Sequence, residues 1–272
     1  MIYLVLAALL CSIGGVCIKM IPWTPLAING ARCAIAACVT GAHLLATHHR
    51  LRFNLTVVCG AFSLALTTIL YVFSTKLAGA ACAILLMYSS PVWVLLHTRF
   101  VRHRAITKRA AICCAAVFGG MALFVADGFA AGTLLGIFLG ILSGITYAGV
   151  FVFGTDSDGD APSAYFMGQL IGAAAGLPFL CGETQFTAAA IGGALLLGVF
   201  QLGLSYIFMA KGVQKTPAVA ASLITSLEPI LSPVWVAIFY GEIPSALTLC
   251  GAAVVLTAIA VYQLAPSAQK RT

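Results

Sequence analysis

What most limits the fold of this chain is a succession of long apolar runs with little between them. They lie at roughly 2–21, 26–47, 55–75, 79–98, 109–126, 133–153, 162–181, 188–209, 217–239 and 245–264. About 20 apolar residues cross the hydrocarbon core of a bilayer as an α-helix. Only helices and closed barrels satisfy their backbone there. Of the 272 residues, 8% are charged, against about 25% in soluble proteins, and no stretch is left for a soluble domain with its own core. The expected fold is an all-α membrane protein of ten transmembrane helices forming one membrane domain.

The net charge of +7 does not point to nucleic acid, because the basic residues lie between apolar runs. With the N-terminus in the cytoplasm, Arg50, Arg52, Arg99, Arg102, Arg104, Lys108, Arg109, Lys211, Lys215, Lys270 and Arg271 all face inward. Only Lys19 and Lys76 face outward, and Arg32 falls within a run. That asymmetry satisfies the positive-inside rule and puts both termini in the cytoplasm. The ten cysteines form no CxxC pair and nearly all fall in apolar runs, so neither disulfides nor a metal are expected. The run Ile2–Ile18 has no basic residue before it and reads as a retained first helix, not a signal peptide. The acidic connection Asp156-Ser-Asp158-Gly-Asp160 fails the calcium-loop rule, since Met167 stands where a Glu is needed, and reads as a solvated linker.

The run from Pro217 to Phe239 carries one charge, Glu228, near its middle. Insertion scales put a mid-bilayer acid at about 2.5–3.5 kcal/mol. Pro229 follows directly, frees the carbonyl of Thr225 and disfavours helix at Glu228. Pro233 repeats the break one turn later. Such a segment persists only against a polar cavity or other protein. It is either a kinked helix whose acid a neighbour satisfies or a substrate or proton site.

The two halves also match. Tyr71-Val-Phe73-Ser-Thr-Lys76 has the spacing of Tyr206-Ile-Phe208-Met-Ala-Lys211, and Pro91 and Pro229 follow at 20 and 23 residues. Ser12 pairs with Ser143, Pro25 with Pro162 and Arg32 with Gln169. The expected division is 1–127 and 128–272, two five-helix repeats. An odd number of spans per copy inserts the second copy upside down, as in alternating-access carriers. The same logic puts the site at matching helix breaks, here Pro91 in the fourth run and Pro229 in the ninth.

The pattern resembles the drug/metabolite transporter superfamily in its ten-helix EamA type. The likeness rests on two five-helix halves, Pro25 through Arg32, and Ser226-Leu-Glu228-Pro229 followed by Gly241-Glu242. The first half has His103-Arg104 where a Gly-Glu pair would close the fourth span, and no role is carried to those positions. The resemblance implies a carrier of small metabolites, often an exporter of amino acids or related compounds, in a bacterial inner membrane.

Polar and aromatic residues gather on the third, fourth, eighth and ninth runs. Tyr71, Tyr88, Trp93 and Tyr206 can wall a cavity and stack on a ring or cation. Gln201, Thr225 and Ser226 can fix polar groups, unless the hydroxyls bond their own helix. Glu228 can meet an ammonium or take a proton. Arg32 can gate, pair with Glu228, or snorkel to the outer surface. No GxxxxGK[ST] loop occurs, so ATP is not the expected energy source. The alternative is a membrane-embedded enzyme such as a lipid-modifying transferase. Its clustered acids or histidines are lacking, since His43, His48, His49, His97 and His103 share no stripe with acids. The expected partners are a small-molecule substrate and the lipid bilayer, with a proton as candidate coupling ion and a homodimer left open. No cofactor and no nucleic acid are expected.

Overall fold

The computed structural model describes residues 1–103, 105–128, 134–231, 235, 238 and 246–264. In chain order the helices are α1 (Ile2–Cys11), α2 (Gly14–Met20), α3 (Pro25–Ala46), α4 (Leu55–Ala78), α5 (Ala80–Met87), α6 (Ser90–Phe100) and α7 (Lys108–Gly128). There follow α8 (Leu134–Gly154), α9 (Ala161–Leu180), α10 (Ala188–Leu196), a π-helical stretch (Leu197–Leu204), α11 (Ser205–Val213), α12 (Ala218–Thr225) and α13 (Ala246–Leu264). Among the described residues there is no strand.

Among the described residues, five helices are long and apolar enough to cross a membrane: Pro25–Ala46, Leu55–Ala78, Leu134–Gly154, Ala161–Leu180 and Ala188–Val213. Ile2–Ile18 and Ala218–Leu231 are shorter apolar runs. The ends are set by local chemistry. The side chains of Asn54, Asp160 and Thr187 accept from the backbone N–H of Val57, Ser163 and Ala190 and cap α4, α9 and α10. Gly79, at φ 85°, stops α4 in a conformation that a Cβ would resist.

Helices α3 and α9 run antiparallel. Thr24 N–H donates to Glu183 Oε1 (2.7 Å) at one end, Thr40 Oγ to Gln169 Oε1 (2.6 Å) midway, and His49 Nε2 meets Asp160 Oδ2 (2.8 Å) at the other. They cross where Gly30 faces Gly176 so closely that a Cβ on either would strike the other's backbone. Helix α4 packs against α8, with Thr67 Oγ donating to Thr146 Oγ (2.9 Å), and α1 packs against α11, with Cys11 Sγ donating to Ser205 Oγ (3.3 Å). Helix α7 lies along α13. Numbered by apolar run, the pairs are three with six, one with eight, two with seven, and five with ten. That set maps onto itself when the halves are exchanged.

The connections gather at two ends. At one, Asn54 Nδ2 donates to the Asp158 carbonyl (2.6 Å), Arg102 pairs with Asp156, and His49 meets Asp160. At the other, Trp23 Nε1 donates to the Gln185 carbonyl (2.9 Å) and Lys76 Nζ to the Ile21 carbonyl (2.9 Å). The acidic connection is thus not merely solvated. Burial tends to raise the Asp160 carboxyl, but bonds from Ser163 and His49 outweigh it and hold it below the usual carboxylate range.

The first apolar run, expected as one helix, is broken at Ser12–Ile13. Ser12 Oγ bonds back to the Leu9 carbonyl (2.7 Å) and accepts from Trp235 Nε1 (2.6 Å), and the Gly14-Gly15 pair that follows has little helical preference.

Candidate functional site

Helix α5 ends at Met87 and α6 begins at Ser90, with a turn at Tyr88–Ser89 between them. Helix α12 ends at Thr225, a turn covers Ser226–Leu227, and helix resumes over 228–231. Pro91 and Pro229 lack the N–H that would bond the Met87 and Thr225 carbonyls, and α5 and α12 end at those residues. Helix resumes at Ser90 and at Glu228, so Glu228 is helical, contrary to the expectation from Pro229: the proline falls at the start of a new helical segment, where it is tolerated. Aligning Pro91 with Pro229 puts Ser90 at the position of Glu228. Helix α6 contacts α12, so the two breaks meet. Gly144 of α8 presses on the first break, since a Cβ there would lie 2.6 Å from the Leu86 carbonyl oxygen.

Glu228 is 3% exposed, and its Oε2 accepts a 2.6 Å bond from the Tyr88 hydroxyl. The hydroxyl thus crosses from one break to the other. Tyr88 is held in turn by Tyr147, edge to face at 5.7 Å. Glu228 lines a small central cavity of about 30 Å³, together with Arg32, Tyr71, Gln201 and Tyr206. That is room for about one water and far below the roughly 300–1,000 Å³ of ligand pockets. The helices must part before a metabolite fits.

Arg32 turns inward and is 1% exposed; it does not snorkel. Its Nε and Nη2 donate to Asn29 Oδ1 (3.4 and 3.2 Å), Nη1 to Gln201 Oε1 (3.2 Å) and Nη2 to the Thr68 carbonyl (2.9 Å). The guanidinium carbon also lies 5.9 Å from the centre of the Tyr71 ring. Among the described residues the ion pairs are His49–Asp160 and Arg102–Asp156, so Arg32 forms none with Glu228. Gln201 sits in the π-helical stretch, a winding that often marks functional positions. The hydroxyls of Tyr71 and Ser90 are buried without a hydrogen-bond partner among the described residues.

The profile of the EamA-like transporter family matches residues 1–126 and again 134–263. The chain belongs to the EamA-like transporter family. An uncharacterized transporter of Archaeoglobus fulgidus (strain ATCC 49558 / DSM 4304 / JCM 9628 / NBRC 100126 / VC-16) is 26% identical over 202 residues, covering 72% of each chain. A solved crystal structure superposes with TM-score 0.78 over 97% of this chain and 97% of that one, at 19% identity, a likeness of fold. This EamA-like chain is a multi-pass transmembrane transporter.

Of the residues singled out in the sequence of this EamA-like transporter, Arg32, Tyr71, Gln201, Tyr206 and Glu228 line the central cavity, and Tyr88 bonds to Glu228. Trp93, Thr225 and Ser226 do not line it. Trp93 Nε1 donates to Ser89 Oγ (3.0 Å), and both Thr225 and Ser226 return their hydroxyls to the Ser222 carbonyl (3.0 Å each). Pro233 and the pair Gly241-Glu242 lie outside the described residues. Cys11 and Tyr147 line the cavity unforeseen, because each reads as an ordinary apolar position. Tyr147 stands four residues after Ser143 on one helical face, the one signal available beforehand.

Proposed function

We propose that the chain is a secondary-active carrier of small metabolites that works by alternating access, with ten crossings in two oppositely inserted halves, 1–127 and 128–272. The antiparallel α3–α9 crossing and the helix pairing that survives exchange of the halves support this reading. Its orientation puts the 47–54 and 155–160 connections and both termini in the cytoplasm, on the strength of the lysines and arginines. Amino acids or related compounds are the favoured cargo, with net export across a bacterial inner membrane.

One observation carries the assignment of the site: a buried carboxylate, Glu228, at one helix break, bonded by Tyr88 from the facing break, beside a cavity between the halves. Acids inside membranes mark transport pathways far more often than they merely pack. Glu228 meets the cargo's cationic group or a proton when the cavity widens, and the Tyr88 hydroxyl holds the carboxylate when the cavity is shut. Arg32, tied to three helical segments, acts as the hub that keeps α3, α4 and the π-helical stretch in register.

The test is a thermal-shift screen of the purified chain against amino acids, nucleosides and quaternary amines, then transport of each hit in proteoliposomes. A compound that raises the melting point and crosses the bilayer only with protein present supports the carrier reading. Hits that bind but never cross would overturn it.

A further inference from the structure

A second cavity, of about 200 Å³, lies next to the central one, and Tyr206 lines both. It sits toward the end of the bundle where the 47–54 and 155–160 connections meet. Its wall is built by His43 at the end of α3, His49 just beyond it, Tyr165 of α9, and Tyr206 and Lys211 of α11. The Tyr165 and Tyr206 rings meet edge to face at 5.3 Å and form its apolar back. No Asp or Glu lines it among the described residues. The nearest acid, Asp160, is engaged by His49 (2.8 Å) and by the Ser163 backbone N–H (3.2 Å). Lys211 is exposed and forms no ion pair among the described residues. A pocket with a cation at its mouth and aromatic rings behind it selects an anion with an apolar body.

We propose that this cavity is a peripheral binding site for a small carboxylate with a ring or branched apolar body, with Lys211 as the residue that reads its charge. The inference rests on the carrier reading, to which it adds a waiting position one tyrosine away from the central cavity. The carboxylate sits against the Lys211 ammonium, and the body lies on Tyr165 and Tyr206. Gln214 offers a further hydrogen-bond donor, while the Thr40 and Thr47 hydroxyls are spent on Gln169 Oε1 (2.6 Å) and the His43 carbonyl (2.8 Å). The volume restricts the occupant to a compact solute.

The experiment is equilibrium binding of radiolabelled benzoate to the full chain in phosphatidylcholine nanodiscs, with benzylamine and benzyl alcohol as charge controls. The expected result is one benzoate per chain, with both controls at least about tenfold weaker. Lys211→Gln weakens benzoate about tenfold or more, and Lys211→Arg restores it. Glu228→Gln leaves benzoate binding unchanged while its transport is read separately, so failure here and failure of the carrier reading are told apart. Nanodiscs containing phosphatidylglycerol decide the source of the anion: loss of benzoate binding there assigns the site to a lipid headgroup, and retention assigns it to a solute. No benzoate binding, equal binding of benzylamine, or native affinity in Lys211→Gln overturns the proposal.

Discussion

Arg32→Lys keeps the positive charge at the centre of the bundle but removes the planar fork that distributes it. The guanidinium serves three acceptors on three segments: Asn29 Oδ1 on α3, the Thr68 carbonyl on α4 and Gln201 Oε1 on the π-helical stretch. An ammonium radiates its donors from one atom and cannot span them. The Thr68 carbonyl keeps its helical N–H from Val72 and Asn29 Oδ1 keeps the Cys33 thiol, but Gln201 Oε1 is left buried without a donor, at about 1–3 kcal/mol. The expected loss is about 1–3 kcal/mol, a sizeable share of the roughly 5–15 kcal/mol that holds a folded protein together. Reversible unfolding in mixed micelles under SDS titration measures it. A double-mutant cycle with Gln201→Leu should return a coupling of about 0.5–3 kcal/mol. An Arg32→Lys chain within about 0.5 kcal/mol of the native one would refute the hub role, since exposed, unconnected positions give changes of that size.

Three further outcomes follow from the packing. Gly176→Ala drives a methyl into the Gly30 backbone and the Leu26 carbonyl; it should cost about 1–3 kcal/mol in the same titration, and an unchanged midpoint would deny the close crossing. The Asp160 carboxyl sits below its ordinary 3.8 in the fold, so its bonds stabilise the native state above that value and are lost as pH falls past it. Asp160→Asn, which keeps a capping side chain, should flatten the decline in melting temperature between about pH 5 and pH 3, whereas an identical pH profile would rule the linkage out. Ser90→Ala removes a buried hydroxyl that has no partner among the described residues, so melting should hold or rise slightly; a loss above about 1 kcal/mol would mean the hydroxyl is bonded.

That charged connections gather at one end of the bundle was readable, because charge cannot hide in lipid: Arg102 pairs with Asp156 there and His49 with Asp160. The breaks near Pro91 and Pro229 were readable because a missing N–H acts locally, whatever surrounds it. The break at Ser12 was not, since Ser-Ile-Gly-Gly passes for more of an apolar run, and its stabilising Trp235 comes from the far end of the chain. The π-helical stretch had no signal either. Its winding aims Gln201 at Arg32, and that pairing lies 169 residues apart in sequence. Thr225 and Ser226 looked like cavity residues by position, yet a hydroxyl on a membrane helix is easily satisfied by its own backbone. Cys11 and Tyr147 went unnoticed for the converse reason, because a thiol and a phenol do not stand out among apolar neighbours.

We assign the work of transport to Glu228, at the meeting of the two helix breaks. The most direct test reconstitutes Glu228→Gln beside the native chain and measures uptake of a confirmed cargo across a range of pH. Transport should fall at least about tenfold and lose its pH dependence, while the melting temperature stays near the native value. Native rates with the native pH profile would contradict the assignment.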